Sequence, residues 1–298
     1  MSVATKRVLV TGASGYVASQ MLPTFRERYE CRLIDVRDVD RSGNRVDGIE
    51  IVDLCDPDLE ALRPVFRDLD AVVHLGYVRP RPGENSYSKA SFFSELKTVE
   101  MARTVYQLSQ EEGVRRVVVA SSNHAADWYE GLIHAKKKDV VDPWERAVSD
   151  NFYGWAKEAY EHLGFVYAAG GVGRALEVVQ LRIGAPREID AAEFTNNPVA
   201  YQRDLGAHLS PRDLTQLVVK SLETEDIRDR HGVPFQIFYG ISDNTRKFWS
   251  ITNAREVIGY APEDDSEVKY AEDIRRLLVP LAGPVPAADF NPGPGTIV

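Results

Sequence analysis

Lys6-Arg-Val-Leu-Val-Thr-Gly-Ala-Ser-Gly-Tyr-Val-Ala18 is the stretch that decides the fold. Its apolar run at residues 8–10 is typical of a buried parallel strand, which ends at Thr11-Gly12, and a helical pattern begins near Gly15. A strand, a glycine-containing turn and a helix form an anion site, because free backbone N–H groups and the positive helix end face the anion. The stretch therefore predicts a phosphate-binding entry into an α/β fold.

The turn has the spacing Gly12-x-x-Gly15-x-x-Ala18, in which Ala18 is small enough for close packing between helix and strand. Glycine lets the backbone approach a pyrophosphate closely. Taken alone, the motif leaves open a glycine-rich turn that binds nothing. Our hypothesis is that five turn residues bind the cofactor: Gly12, Ser14, Gly15, Tyr16 and Val17.

Length and composition indicate a globular protein of the reducing cytoplasm. The 298 residues include 44% hydrophobic and 27% charged side chains, and the net charge of −9 argues against nucleic acid as a partner. Cys31 and Cys55 lack metal-ligand spacing, so we expect buried thiols and no metal. The sequence shows neither a signal peptide nor a membrane-spanning run, and we expect no membrane partner.

The apolar pattern predicts strands that alternate with helices. This alternation indicates a Rossmann-type, doubly wound parallel sheet with the ligand at the carboxyl ends of its strands. We expect one domain over residues 1–282, with a nucleotide-binding core at about 1–182, a small, interleaved substrate-binding lobe at about 183–282, and a Pro/Gly-rich tail at 283–298. Predicted strands cover residues 8–10, 31–35, 48–54, 71–76, 114–120, 178–183 and 235–239; predicted helices cover 16–29, 57–69, 92–112, 151–168, 214–222, 251–258 and 272–281.

Asp35 ends the second predicted strand. At this position in a dinucleotide fold, a carboxylate accepts hydrogen bonds from the adenosine ribose and repels a 2′-phosphate, which favours NAD over NADP. A turn-capping aspartate is the alternative, and Arg37 lies nearby. Farther along, the proline-broken loop after the fourth strand carries Arg79 and Arg81, which either face an anionic substrate or are ordinary exposed arginines.

The catalytic candidates are Ser122, at the end of the fifth strand, and the pair Tyr153 and Lys157. Tyr153 and Lys157 are four residues apart on a predicted helix and share one face. An ammonium group stabilises a phenolate, so Tyr153 is predicted to remove the proton of a hydroxyl that Ser122 holds, while hydride leaves the same carbon for the nicotinamide. Lys157 is also expected to bind the nicotinamide ribose. Each piece alone has a structural alternative, and their order along the chain favours the catalytic interpretation.

These motifs together resemble the extended short-chain dehydrogenase/reductases of the NAD-dependent epimerase/dehydratase family, over nearly the whole chain. Among them the chain is most similar to uronate dehydrogenases. The finer resemblance is carried by Ala120-Ser-Ser-Asn-His124, by Leu181-Arg-Ile-Gly184 and by Arg203 seven residues before Ser210. Two C-terminal segments also carry it, Trp249-Ser-Ile-Thr-Asn-Ala254 and Ile258-Gly-Tyr-Ala-Pro-Glu-Asp264.

The resemblance implies oxidation of the anomeric carbon of a sugar acid to a lactone, with NAD as cofactor. It implies that Arg203 takes the substrate carboxylate, and Arg79 is a further substrate candidate. His124 is either a substrate ligand or a structural histidine. The resemblance places Asp53, Leu54, Leu75 and Gly76 beside the adenosine, and Ser122, Asn123, His124 and Tyr153 around the sugar.

Two departures from the uronate dehydrogenases lie at the mouth of the site. Tyr77-Val-Arg-Pro-Arg-Pro follows the fourth strand, and the interval from Ser122 to Tyr153 is longer. The alternative function is a nucleotide-sugar epimerase or dehydratase with the same Ser-Tyr-Lys site, and a non-catalytic dinucleotide sensor is the alternative outside the enzymes. The resemblance also implies a homodimer through the helices at 92–112 and 151–168, with Tyr160, Leu163 and Tyr167 in contact or in the core.

Overall fold

The computed structural model describes residues 5–278, and its backbone is organised around seven parallel strands. Their order in the sheet is β3-β2-β1-β4-β5-β6-β7, which confirms the predicted doubly wound parallel sheet. The strands are β1 Arg7–Thr11, β2 Glu30–Asp35, β3 Ile49–Ile51, β4 Ala71–His74, β5 Arg116–Ser122, β6 Glu177–Ile183 and β7 Phe235–Gly240.

Helices cover both faces of this sheet. Val8 and Val10 of β1 face one apolar cluster, and Leu9 between them faces the other. All three are fully buried, which is the pattern of a strand covered on both faces. The helices are α1 Tyr16–Arg28, α2 Leu59–Leu62, α3 Ser91–Glu111, α4 Trp128–His134, α5 Phe152–Ala168, α6 Pro198–Ala207, α7 Pro211–Glu223, α8 Thr252–Ile258, α9 Ser266–Lys269 and α10 Ala271–Leu277.

Two predicted elements are shorter than expected. The helix predicted at 57–69 is α2 followed by a 3₁₀ turn, Arg63–Phe66, because Pro64 has no N–H to continue the α-helical pattern. The strand predicted at 48–54 is only the three-residue β3 at the edge of the sheet. Its backbone then turns so that Asp53 Oδ1 accepts a hydrogen bond from Cys55 N at 2.9 Å.

Helices α4 and α6 were not predicted. Asn197 caps α6, accepting from Ala200 N at 3.1 Å, and Pro198 occupies the first helical position. The helix ends beside the carboxyl end of β6, where Ala185 N donates to Ala207 O at 2.7 Å. Helix α6, in the predicted substrate-binding lobe, and α4, in the predicted core, therefore both border the end of the sheet at which the predicted site residues lie.

The proposed boundaries of this lobe and core stay a prediction, and the predicted tail at 283–298 lies outside the described residues. Cys31 and Cys55 have free thiols and are half-buried rather than buried. Within residues 5–278, no helix combines the length and apolar character needed to cross a membrane.

Candidate active site

The turn between β1 and α1 has a backbone that only glycine fits. Gly12 has a φ of +65°, and a Cβ there would lie 2.8 Å from the carbonyl carbon and oxygen of Leu75. A Cβ at Gly15 would lie 2.9 Å from Gly12 O. The chain therefore keeps a cradle open at the N-terminus of α1, and this cradle fits the pyrophosphate of a dinucleotide.

Asp35, at the end of β2, holds this turn in place. Its Oδ2 accepts hydrogen bonds from Ser14 N at 3.0 Å and Ser14 Oγ at 2.8 Å, and its Oδ1 accepts from Val36 N at 2.7 Å. Arg37 Nε donates to Ser14 Oγ at 3.4 Å. The turn-capping alternative and the ribose-binding prediction are thus compatible, because one carboxylate caps the turn and also borders the cavity.

A cavity of about 550 Å³ runs from this turn to the carboxyl end of β5. Among the predicted site residues, Asn123 alone does not line it. The predicted residues that do line it are Gly12, Ser14, Gly15, Tyr16, Val17, Asp35, Asp53, Leu54, Leu75, Gly76, Arg79, Ser122, His124, Tyr153, Lys157 and Arg203. Arg81, by contrast, is exposed outside the cavity wall.

Helix α5 positions the two predicted catalytic side chains. Asn151 caps it by accepting from Gly154 N at 3.0 Å, and Tyr153 and Lys157 follow one turn apart. Lys157 Nζ donates to Ala120 O at 3.1 Å and lies 5.1 Å from the centre of the Tyr153 ring. Burial lowers the pKa of Lys157 to about 8, although Glu95 and Glu161 favour its charged form.

The protein alone does not lower the pKa of Tyr153 towards neutrality. Burial raises its pKa to about 12, a hydrogen bond with Ser122 acts in the opposite direction, and the negative charge of Glu95 raises it further. A positive charge beside the phenolate is needed to bring this pKa towards neutrality. If NAD binds in this cavity, its oxidised nicotinamide ring would supply such a charge.

Beside these residues lies a pair that the sequence patterns do not reveal, the half-buried Tyr77 and the buried Glu95. The Tyr77 ring meets the Tyr153 ring edge to face, with centroids 5.5 Å apart, and its hydroxyl donates to Glu95 Oε1 at 2.7 Å. Glu95 is fully buried, and burial raises its pKa to about 7. No local pattern indicates this pair, because Glu95 is one of several glutamates on α3 and only the tertiary fold turns it inward.

His124 is oriented by a neighbouring carboxylate. Its Nδ1 donates to Asp127 Oδ2 at 3.2 Å, and Asn151 Nδ2 donates to the same oxygen at 2.8 Å. This assignment of the proton leaves Nε2 as an acceptor. The His124 ring packs edge to face on Tyr153, with centroids 5.7 Å apart, so the acceptor lies beside the predicted base.

Arg203 is buried and already paired with protein carboxylates. Its Nε and Nη2 donate to the two oxygens of Glu130 at 3.0 and 3.1 Å, and its Nη1 donates to Asp204 Oδ1 at 3.2 Å. With its amide oriented to satisfy both groups, Asn123 accepts from Arg203 Nη2 at 2.6 Å and donates to Ile183 O at 3.0 Å. Asn123 thus supports Arg203 from behind the cavity wall.

The glycine turn lines the same cavity as Ser122, Tyr153 and Lys157. This arrangement is typical of the short-chain dehydrogenase/reductase class of proteins. The model of the NAD dependent epimerase/dehydratase family matches residues 8–185. An NAD-dependent glucose-6-phosphate dehydrogenase from Haloferax volcanii is 31% identical over 268 residues, which are 87% of this chain and 94% of that protein. The chain belongs to the NAD-dependent epimerase/dehydratase family, as the sequence motifs predicted.

Uronate dehydrogenases are also similar to this chain. The uronate dehydrogenase of Pseudomonas syringae pv. tomato is 29% identical over 267 residues, 88% of this chain and 83% of that protein. The structure of a mutated uronate dehydrogenase superposes with a TM-score of 0.72 at 26% identity, over 97% of this chain and 92% of that one. These likenesses confirm the resemblance drawn from the motifs, and they support NAD as the cofactor.

Proposed function

We propose that this protein is an NAD-dependent dehydrogenase that oxidises the anomeric hydroxyl of a free sugar or sugar acid to a lactone. The observation that carries the proposal is the convergence of Ser122, Tyr153 and Lys157 at one end of the cavity that the glycine turn opens. The names of the relatives support sugar oxidation, since they include glucose-6-phosphate and uronate dehydrogenases.

The residues divide the chemistry between them. Ser122 donates a hydrogen bond to the substrate oxygen, and the phenolate of Tyr153 accepts the proton of that hydroxyl. Lys157, fixed by Ala120 O at 3.1 Å, keeps a positive charge beside the phenolate and binds the nicotinamide ribose. NAD, when bound, supplies the acceptor for the hydride that leaves the same carbon. Two electrons and one proton leave the sugar as hydride to NAD, and the second proton leaves through Tyr153.

The test is the absorbance of NADH during incubation with NAD and a panel of uronic acids, aldoses and polyols. Tyr153→Phe removes the proton acceptor and is expected to lower kcat by about a thousandfold or more. Tyr167→Phe, a hydroxyl deletion on the same helix, is the matched control and is expected to retain activity. Absence of turnover with every free sugar, together with tight binding of a nucleotide sugar, would instead support the epimerase alternative.

A homodimer through α3 and α5 is part of the proposal. These helices expose Phe93, Phe165 and Val166, which are apolar side chains suited to a subunit contact. Tyr160 is buried and donates to Ala120 O at 2.6 Å, so it belongs to the core of its own chain. Light scattering after gel filtration is expected to give twice the mass of one chain. The Phe93→Glu variant is expected to give a mass closer to that of a single chain.

A cytoplasmic location is proposed from the free thiols of Cys31 and Cys55, which a reducing compartment preserves. Fractionation of the source cells with an antibody against the protein tests it. Recovery in an oxidising compartment, with these cysteines in mixed disulfides, would contradict this location.

A further inference from the structure

The ion pairs that Arg203 forms inside the protein bear on which sugars the site accepts. A guanidinium binds a carboxylate best through two parallel N–H bonds from one edge. The edge formed by Nε and Nη2 already holds both oxygens of Glu130, at 3.0 and 3.1 Å. This is the bidentate arrangement that a substrate carboxylate would need, and the protein supplies the carboxylate itself.

The other edge of Arg203 is divided among three neighbours. Nη1 donates to Asp204 Oδ1 at 3.2 Å, while the second direction of Nη2 points to Asn123 and, at 3.5 Å, to His124 Nε2. The guanidinium also lies over the Trp249 ring, with 5.5 Å from its carbon to the ring centre. An incoming carboxylate therefore finds no edge of Arg203 at which it can form two bonds without displacing an internal partner.

The ionic group around Arg203 is balanced before any substrate arrives. Arg203 and Arg187 supply two positive charges, and Glu130 and Asp204 supply two negative charges, with Arg187 Nη2 donating to Asp204 Oδ2 at 2.5 Å. The side chains of Glu130 and Asp204 are 1% and 2% exposed. Displacing Glu130 from Arg203 would leave a buried carboxylate without its partner, which is strongly unfavourable.

The carboxylate that pairs with Arg203 comes from the segment between Ser122 and Tyr153. Glu130 lies on α4 within that segment. Trp128 N donates to Val148 O at 3.2 Å and Tyr129 hydroxyl donates to Arg146 O at 2.9 Å, so the two ends of the segment hold each other. These hydrogen bonds hold the segment that places Glu130 against Arg203.

We propose that Glu130 makes the sugar site selective for uncharged sugars, by occupying the guanidinium edge that would otherwise take a carboxylate or phosphate. The inference rests on the proposed dehydrogenase function and specifies its substrate class as neutral aldoses. In this arrangement Arg203 acts as a positioning residue, which holds Asn123 and borders His124. The hydroxyl groups of a neutral sugar bind to the uncharged groups of the site, His124 Nε2 among them.

The experiment measures kcat/KM with NAD for glucose, glucuronate and glucose 6-phosphate, which differ only at C6. For the wild type we expect glucose to exceed both anionic sugars by about tenfold or more. Glu130→Gln frees Arg203 and is expected to raise kcat/KM for glucuronate by about tenfold, mainly through a lower KM. Glu263→Gln removes an exposed carboxylate paired with Arg212 and is the matched control, expected to change none of the three values.

The outcomes separate the two proposals. A wild-type preference for glucuronate or glucose 6-phosphate overturns the inference and leaves the dehydrogenase intact, and so does a Glu130→Gln variant that lowers all three values equally. No NADH formation with any sugar overturns both. The wild-type comparison requires no variant to fold, and Arg203→Gln adds a second reading. It lowers activity on all three sugars alike if Arg203 only positions its neighbours, and abolishes glucuronate oxidation selectively if Arg203 reads the carboxylate.

Discussion

Lys157 Nζ lies 5.1 Å from the centre of the Tyr153 ring and donates to the backbone oxygen of Ala120 at 3.1 Å. Ala120 is two residues before Ser122 on the same strand, β5. One strand end thus fixes the lysine of α5 and presents the serine. The positions of all three catalytic candidates depend on the packing of α5 against β5, and this geometry leads to the following predictions.

Gly12→Ala is expected to destabilise the protein and abolish NAD binding. A side chain at positive φ costs about 1 kcal/mol, and the contact at 2.8 Å with Leu75 adds about 2 kcal/mol of overpacking. Gly43→Ala is the matched control, since Gly43 has a φ of +83° but no atom within 4 Å of a Cβ. Urea unfolding and NAD titration by fluorescence measure both effects; equal losses in the two variants would contradict the close-contact argument.

Asp35→Asn is expected to raise kcat/KM for NADP relative to NAD by about tenfold, because the variant removes the negative charge that repels a 2′-phosphate. Ser14→Ala keeps the carboxylate and removes one of its hydrogen bonds, at 2.8 Å. Ser14→Ala should therefore lower kcat/KM for NAD and for NADP by the same factor. Steady-state rates with both cofactors test this, and an unchanged NADP/NAD ratio in Asp35→Asn would show that the carboxylate only caps the turn.

Glu95→Gln is expected to move the pH–rate profile of sugar oxidation to lower pH. Above its own pKa of about 7, Glu95 is negatively charged and raises the pKa of Tyr153, so its removal lets the phenolate form at lower pH in that range and shifts the rising limb down. The same charge supports the ammonium of Lys157, whose pKa is about 8, so the falling limb shifts down as well. The profile of kcat against pH is the measurement.

Two further variants isolate the role of the Glu95 charge. Tyr77→Phe keeps the carboxylate and removes the hydroxyl that donates to it at 2.7 Å, so it should move the profile less than Glu95→Gln. Glu100→Gln, an exposed glutamate on the same helix, should leave it in place. If the Glu95→Gln enzyme has lower activity but both limbs of its pH–rate profile stay at the wild-type pH, Glu95 contributes only to packing.

Gly154→Ala is expected to reduce both stability and activity, since a Cβ there would lie 2.2 Å from His124 O and 2.1 Å from Ser149 Oγ. Relief requires α5 to move away from the 3₁₀ turn, Asn123–Ala126, that follows Ser122 and contains His124. Gly131→Ala, a helical glycine on α4 with open space around its Cβ, is expected to gain up to about 1 kcal/mol in the free energy of unfolding. Thermal unfolding of both variants is the measurement. A stable, active Gly154→Ala enzyme would contradict the close approach of position 154 to His124 O and Ser149 Oγ.

The sequence was sufficient for the parallel sheet and for the candidates at its strand ends. Asp35, Asp53 and Leu75 could be placed because strands in a parallel sheet all end on one side, so chain order translates into spatial proximity. Tyr153 and Lys157 share a helical face by spacing alone. Their roles as cofactor or catalytic residues stay predictions, and the structure adds that they line one cavity.

The partners of the charged groups could not be predicted. Glu130 meets Arg203 across 73 residues of sequence and Tyr77 meets Glu95 from a different element, and no periodic pattern encodes such pairs. Helix α4 was missed as well, since its seven residues, Trp128–His134, are too few for a helical pattern to stand out from a loop. The substrate preference depends on these long-range pairs, which is why the motifs define the chemistry more closely than the sugar.

Strand β7 pairs with β6 over its whole length, from Val178↔Phe235 to Ile183↔Gly240. After β6 the chain leaves the sheet over residues 184–234, and it returns to the sheet as β7. During synthesis, the edge of β6 therefore stays open until residue 240 has left the ribosome, and its unpaired N–H and C=O groups are then a site for misassembly. A chimera that exchanges sugar preference with a relative should replace both α4, which carries Glu130, and the excursion at residues 184–234, and should keep the native returning strand.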